Sequence, residues 1–301
     1  MNILDFQIDS IPVQPVNDPV LAAFGVSLSV LRCDLIHPQI SGNKWFKLKY
    51  NLLAAQQQGH NTLLSFGGAW SNHIHALSAA GKLFGFRTIG VIRGELEENL
   101  TPCLQEAVDN GMTLRGISRA LYRDKNKPEM IAKLHDELGG FFVIPEGGAN
   151  GEGVKGCAEM LDVEHINEFD TVCLACGTGT TLAGLLTSTK QKTLGFQVLK
   201  GQGYLKQEVD KIISQFALQA LGTWSINENY HFGGYARSKP ELLRFITKFQ
   251  GVTGIPLEPV YSGKMLFGIY DLIQQGHFSP GTKILAVHGG GLQGQRGFTV
   301  R

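Results

Sequence analysis

No apolar run in the 301 residues approaches the roughly 18 that a membrane-crossing helix needs. The opening stretch, Met1 to Ser10, has neither a basic start nor a long apolar core, so no export signal is read there. Net charge is nearly absent: 27 basic against 26 acidic side chains leave +1, which provides no global field for nucleic acid or an anionic membrane. Internal repeats and low-complexity linkers are missing too, which excludes a solenoid or a disordered chain. Cysteine is sparse and odd in number: Cys33, Cys103, Cys157, Cys173 and Cys176. Without a signal sequence that count argues for reduced thiols. Cys173 and Cys176 have the spacing of a redox pair or half a zinc site, but no second pair completes it. They lie in a strand-like run, where residues three apart face opposite sides, and are read as small buried apolar groups. Together these absences predict a soluble, cytoplasmic protein with no metal ligands.

Glycine, by contrast, is abundant, 38 of 301 residues, against an average of about 7%. The glycines follow apolar runs, as in loops that approach a ligand. Apolar patterning predicts strands at 26–35, 62–68, 87–93, 112–117, 141–145, 171–175, 194–199 and 283–288. Helices are predicted from Trp45 onward, from the 69–75 stretch to about Leu83, over 100–110, 128–138 and 153–164, from the 177–181 loop to about Thr187, and over 204–221, 240–249 and 263–275. This alternation implies α/β layers with mostly parallel, open sheets flanked by helices. Ligands of such sheets bind beyond the carboxyl ends of the strands. Three of these strands end in glycine-rich loops, at 67–68, 177–179 and 289–291.

Ser41-Gly42-Asn43-Lys44 precedes a helix whose apolar face is Trp45, Leu48, Leu52 and Leu53. Lys44 therefore stands at a helix mouth, where free N–H groups and the positive dipole end oppose protonation of its amine. A neutral amine can attack a carbonyl. On position alone the first reading is a solvated lysine beside Lys47 and Lys49, and the rest of the chain changes that.

Gly177-Thr178-Gly179-Thr180-Thr181 combines close backbone approach, hydroxyls and a helix start, which suits a phosphate. It could also be a plain strand-to-helix turn. It lacks the Lys-Ser/Thr ending of a nucleotide P-loop, and Leu182 occupies the third glycine of a dinucleotide fingerprint. Gly289, Gly291 and Gly294 match that fingerprint in spacing, but too few residues follow for its helix and next strand. Gly67-Gly68-Ala69-Trp70-Ser71-Asn72-His73 suits a carboxylate, or is an N-cap by Ser71 or Asn72. Ser71 is in no G-x-S-x-G elbow, which argues against a hydrolase triad. His73 and His75 point to different faces of a helix and make a poor metal pair. His288 is read as a buried, hydrogen-bonded histidine. An amine, a phosphate loop and a carboxylate loop without metal ligands suit pyridoxal phosphate acting on an amino acid.

The stretches 41–44, 67–72 and Val260-Tyr261-Ser262-Gly263-Lys264, with the loop at 178–181 and the closing strand-Gly-Gly, resemble the 1-aminocyclopropane-1-carboxylate deaminase/D-cysteine desulfhydrase family. That family is a branch of the tryptophan-synthase-β-like, fold type II enzymes that use pyridoxal 5′-phosphate (PLP). The resemblance runs in order over about 26–297. It implies a large PLP-binding domain, 1–46 plus 156–301, with a small α/β domain, 47–155, inserted. It implies that Lys44 holds PLP as a Schiff base and moves the Cα proton. Asn72 would bond the ring O3′, and Thr178, Gly179, Thr180 and Thr181 would cradle the phosphate. Ser71, Asn72 and His73 would take the substrate carboxylate, Ser71 also carrying a proton. Tyr261 would lie against the ring or near the reacting carbon, with a core aromatic as the alternative reading of that residue. A homodimer is the family expectation.

One position departs from the deaminase pattern. Deaminases of the family have a glutamate after the motif's tyrosine, near the pyridine nitrogen, and this chain has Ser262. A carboxylate there favours a protonated ring nitrogen and a strong electron sink, whereas a hydroxyl offers a neutral hydrogen bond. Opening a cyclopropane needs the stronger sink more than expelling a thiolate does. The expected activity is therefore β-elimination on D-cysteine or a related small amino acid, giving pyruvate, ammonia and sulfide. The alternatives are deamination of 1-aminocyclopropane-1-carboxylate to 2-oxobutyrate, a non-catalytic protein binding PLP or an amino acid, and a phosphosugar- or nucleotide-binding α/β enzyme.

Overall fold

The structure is a computed structural model that describes residues 3–6, 8 and 10–299. Its strands are β1 (Val13–Pro15), β2 (Ser27–Leu31), β3 (Thr62–Gly67), β4 (Arg87–Arg93), β5 (Thr113–Ile117), β6 (Phe142–Ile144), β7 (Thr171–Cys176), β8 (Lys192–Gln197), β9 (Trp224–Asn227) and β10 (Lys283–Val287). Its helices are α1 (Pro19–Ala23), α2 (Asn43–Gln57), α3 (Asn72–Phe84), α4 (Pro102–Asp109), α5 (Arg119–Arg123), α6 (Pro128–Leu138), α7 (Gly151–Cys157), α8 (Thr180–Leu186), α9 (Tyr204–Gln215), α10 (Pro240–Thr253), α11 (Ser262–Gln274) and α12 (Arg296–Thr299). Among the described residues no helix is long and apolar enough to cross a membrane.

The chain divides into two compact units. One comprises the described residues within 1–7, 44–156 and 296–301, the other those within 8–43 and 157–295. The first unit holds a four-stranded sheet in the order β5-β4-β3-β6, parallel throughout. Every residue of β3 is buried, as expected of a strand covered on both faces. One face of this sheet carries Leu64, Phe66, Ile89 and Val91, packed with Tyr122, Met130, Leu134 and Phe141. Phe6 lies 4.3 Å from Trp45 with the rings tilted, and both rings lie 5.9 Å from Phe84, so Phe6 packs on α2 and α3.

The second unit holds a six-stranded sheet in the order β1-β2-β10-β7-β8-β9. All its pairings are parallel except β1 with β2. Leu28 and Val30 of β2, Cys173 of β7, Phe196 of β8 and Ile284 and Ala286 of β10 pack with Ile246, Phe249, Met265, Leu266 and Ile269 of α10 and α11. Cys173 thus belongs to that core. A Cβ built on Gly195 would lie 3.0 Å from Leu182 and 3.2 Å from the Cys176 sulfur, which puts Cys176 on the α8 side. The two thiols occupy opposite faces, and all five cysteines are buried. The central strands set the loops that follow β7 and β10 next to one another.

Some boundaries differ from the sequence reading. The helix expected over 204–221 stops at Gln215, because Ala217 turns to φ 48°. The one expected over 153–164 is α7 followed by a 3₁₀ turn ending at Leu161. Strands β1 and β9 and the short helices α1 and α5 were not foreseen. β1 is an antiparallel edge strand of three residues ending in proline, too short for any period to register.

Candidate active site

In the second unit the residues before α2 are locked to the loop after β10. Gly42 adopts φ +63°, and a Cβ there would fall 1.9 Å from the Gly289 carbonyl oxygen, so only glycine allows this approach. Asn43 N donates to the same oxygen at 3.2 Å, and Gly42 N donates to Cys33 O at 2.8 Å. The Asn43 side chain donates to Thr181 Oγ1 at 3.0 Å. Asn43 therefore bonds to both glycine-rich loops of this unit. Lys44 is the next residue, half-buried in the first turn of α2.

The 177–181 loop turns at Gly179, φ +81°, whose would-be Cβ would lie 2.9 Å from Val209 of α9. The N-cap of α8, Gly179, has no side chain with which to cap it. Thr178 Oγ1 and Thr180 Oγ1 lie 3.2 Å apart, Thr180 and Thr181 are buried, and Thr178 is half-buried. The Tyr261 ring borders the loop: a Cβ on Gly177 would sit 3.4 Å from Tyr261 Cε1. Tyr235, unremarked in the sequence, meets Tyr261 edge to face at 6.4 Å.

The start of α11 is organised by a residue that the sequence reading missed. Glu258 is fully buried. Its carboxylate accepts from Val260 N at 2.7 Å, Tyr261 N at 2.8 Å, Ser262 N at 2.6 Å and Ser262 Oγ at 3.0 Å. Burial pushes this carboxyl group up, and those four donors pull it back toward the ionised form. Ser262, expected at the ring nitrogen, is itself buried; its Oγ also accepts from Glu258 N at 3.1 Å. With its proton turned to Glu258, the hydroxyl has a lone pair rather than a hydrogen to offer elsewhere. His288 is buried as expected. Gly290 N donates to its Nδ1 at 3.2 Å, so Nε2 carries the proton and donates to Pro256 O at 2.8 Å. The histidine thereby ties the 289–291 loop to the strand of chain leading to Glu258.

In the first unit the 67–73 stretch joins β3 to α3. Ser71 is the N-cap, its Oγ accepting from Ile74 N at 3.3 Å. Thr101 Oγ1 donates to Ala69 O at 2.5 Å, and Cys103 Sγ to Ser71 O at 3.5 Å. A Cβ on Gly297 would lie 3.3 Å from the Trp70 ring, so α12 packs close to this loop. Arg296 in turn pairs with Glu106, which also meets His75 Nε2 at 2.6 Å. The Arg296 hydrogen bond, supported by His75, holds the Glu106 carboxyl down at about 2.

His73 was expected with Ser71 and Asn72 at a substrate carboxylate. Its imidazole is buried, with Nε2 2.9 Å from Ser65 Oγ and, among the described residues, no hydrogen-bond partner for Nδ1. Burial, then the charges of Lys44 and Lys47, lower its pKa to about 3, so it is neutral. The second residue of α3 thus turns its side chain toward Ser65 of β3. Among the described residues no cluster of three or more His, Cys, Asp or Glu could hold a metal.

Residues 12–290 match the family model described as pyridoxal-phosphate dependent enzyme. A protein of Pyrococcus horikoshii named putative 1-aminocyclopropane-1-carboxylate deaminase is 30% identical, covering 90% of this chain and 86% of its own. An Arabidopsis thaliana protein named bifunctional D-cysteine desulfhydrase/1-aminocyclopropane-1-carboxylate deaminase, mitochondrial, is 29% identical over 90% of this chain and 73% of its own. A D-cysteine desulfhydrase of Serratia proteamaculans is 25% identical over 89% and 87%. Among solved structures, one described as an ACC deaminase homologue superposes with a TM-score of 0.83 at 28% identity, covering 97% of this chain and 92% of that one.

Proposed function

Because the chain belongs to the family of pyridoxal-phosphate-dependent enzymes, in its deaminase/desulfhydrase branch with the type II fold, we propose that it eliminates the β-substituent of D-cysteine or a related small amino acid. With water, D-cysteine would yield pyruvate, ammonia and sulfide. The observation that carries the choice is position 262. It holds a hydroxyl, and the carboxylate nearest to it, Glu258, is engaged by four donors at the start of α11. A neutral oxygen stabilises a protonated ring nitrogen less than a carboxylate does, which suits a substrate with a good leaving group.

The residues present fit pyridoxal 5′-phosphate. A helix start without a side-chain cap, with two threonine hydroxyls 3.2 Å apart, suits its phosphate dianion. A first-turn lysine suits its aldehyde, and the preceding asparagine is hydrogen-bonded to the same loop. In the proposed site Lys44 would bind the cofactor and afterwards move the Cα proton. Thr178, Gly179, Thr180 and Thr181 would hold the phosphate, Asn72 would bond the ring O3′, and Ser262 would stand at the ring nitrogen. Tyr261 would lie against the ring or near the reacting carbon. Ser71, Asn72 and the backbone N–H of His73 orient the substrate carboxylate, and Ser71 passes a proton. The cofactor, when bound, supplies the electron sink that lets the Cα–H bond break.

Deamination of 1-aminocyclopropane-1-carboxylate is the second reading, favoured by the name of the 30% identical Pyrococcus relative. Purified protein assayed for pyruvate from D-cysteine and for 2-oxobutyrate from the cyclopropane separates the two. Efficient 2-oxobutyrate release with no pyruvate would overturn the elimination reading. The Lys44 assignment has its own check: Lys44→Ala should lose the covalent cofactor adduct that borohydride leaves on this peptide. A homodimeric state and a cytoplasmic location belong to the same proposal. A monomer in sedimentation would remove the first, and fractionation of the source cells tests the second.

A further inference from the structure

Lys264 lies in the first turn of α11, three residues beyond Tyr261, and is completely buried. Lysine is rarely buried in full unless its ammonium is satisfied. Here the partners are two backbone carbonyls: Nζ donates to His231 O at 2.9 Å and to Gly234 O at 2.8 Å. Burial draws the amine down to about 8, against the pull of the Glu258 carboxylate.

Both carbonyls belong to the connection between β9 and α10. Its backbone is unusual. Phe232 (φ 52°), Gly233 (98°), Gly234 (118°) and Ala236 (52°) all take the left-handed region, two of them with side chains. Such residues persist only where their surroundings hold them. The segment's own bonds are short-range: Gly234 N to His231 O at 2.9 Å, Arg237 N to Gly234 O at 3.2 Å, and Gly233 N to His231 Nδ1 at 2.9 Å. Lys264 is a second donor on the same two carbonyls, and it anchors them to a helix. Between them and Arg237 stands Tyr235, the residue whose ring meets Tyr261.

We infer that Lys264 is a positioning residue: by holding the carbonyls of His231 and Gly234 it fixes the 231–236 turn and keeps Tyr235 edge-on to Tyr261. Removing the ammonium frees the turn to relax toward ordinary backbone angles, and Tyr235 leaves Tyr261. The catalytic consequence rests on the proposed role of Tyr261. The structural consequence does not.

The test is Lys264→Met in the PLP-loaded protein, with two readouts. Trypsin should cut after the exposed Arg237 at least tenfold faster than in wild type, while cutting after the exposed Arg123, in the other unit, stays within twofold. On D-cysteine the variant should lose at least tenfold in kcat, with the dissociation constant for PLP within twofold. Gly234→Ala loosens the same turn from the other side, since its Cβ would meet Lys200 Cβ at 3.3 Å on a φ of +118°. It should reproduce both effects, and it serves if Lys264→Met does not fold. Unchanged cutting at Arg237, or equal acceleration at Arg123, overturns the inference. If wild type releases no pyruvate, the elimination reading fails and the proteolysis decides on the pin alone.

Discussion

Gly42→Ala offers the sharpest test of how the chain is held just before Lys44. The alanine would have to keep φ near +63° with its Cβ 1.9 Å from the Gly289 oxygen and 2.2 Å from the Gly289 carbon. The backbone angle alone costs about 1 kcal/mol. The clash is with backbone, which cannot swing aside like a side-chain tip, so loop movement should add about 1–3 kcal/mol. A total of about 2–4 kcal/mol follows from those two terms. Gly254→Ala is the matched control. It lies in the same unit, at φ +69°, with nothing within 4 Å of its would-be Cβ, so only the angle term of about 1 kcal/mol applies.

Urea unfolding of both variants, compared at equal m-values, measures the difference. The gap should be at least about 1 kcal/mol, with Gly42→Ala the less stable. Equal losses would refute the close approach of 42 to 289. Because Asn43 N bonds that same Gly289 oxygen, the displacement should also weaken PLP binding in Gly42→Ala and leave it intact in Gly254→Ala.

Two further outcomes follow from named bonds. Thr180→Val with Thr181→Val keeps shape and removes two hydroxyls. With charged hydrogen bonds worth about 1.5–3 kcal/mol each, PLP affinity should fall at least tenfold in a titration, and an unchanged affinity would move the phosphate elsewhere. His73 gives a pH dependence of known sign. Its folded pKa of about 3 lies below the ordinary 6.5, so between these values the unfolded chain takes up a proton that the folded chain refuses. The stability it contributes is complete above 6.5 and drains away as pH falls toward 3, by at most about 1.4 kcal/mol per pH unit. Stability measured across that range should drop less steeply in His73→Gln than in wild type, and parallel curves would show that His73 is not buried neutral.

What the sequence made legible is local. Apolar runs closed by glycines gave β3, β7 and β10, because a parallel strand covered on both faces is written as a short uninterrupted apolar stretch. Ser-Gly-Asn-Lys before a helical period placed Lys44 in a first turn, as it is. Pro128 and Leu138 bounded α6 correctly because proline opens it and Gly139 follows it. What stayed hidden depends on where side chains point once distant segments meet. Nothing local reveals that Asn43 reaches Thr181, 138 positions away, or that Lys264 reaches His231. The orientation of His73 was hidden for the same reason: only the packed sheet shows its ring turned to Ser65. A faint signal for Glu258 did exist, as an acid four residues before Ser262 among apolar neighbours. Such a carboxylate has to be satisfied somewhere, and helix N–H groups are the nearest donors.

That carboxylate changes what a substitution at 262 can do. Read from the sequence, Ser262→Glu supplies the charge that the deaminase pattern has and should strengthen the electron sink. In the structure the new side chain would start 3.0 Å from Glu258 Oε1, at the atom it replaces. It also removes one of the four donors to Glu258. Two carboxylates about 4 Å apart repel by about 4 kcal/mol at an effective dielectric of 20. One of the pair must then take up a proton, or the start of α11 must open. Ser262→Glu alone should therefore lose stability at neutral pH, recover part of it as pH is lowered, and gain no cyclopropane-opening activity. Adding Glu258→Gln removes the repulsion and leaves an amide oxygen to accept from the N–H groups of 260–262. The double variant should be more stable at pH 7 than Ser262→Glu, with a favourable coupling of at least about 1 kcal/mol in the mutant cycle. Additive losses would mean that Glu258 does not reach Ser262, and the account of this helix start would be wrong.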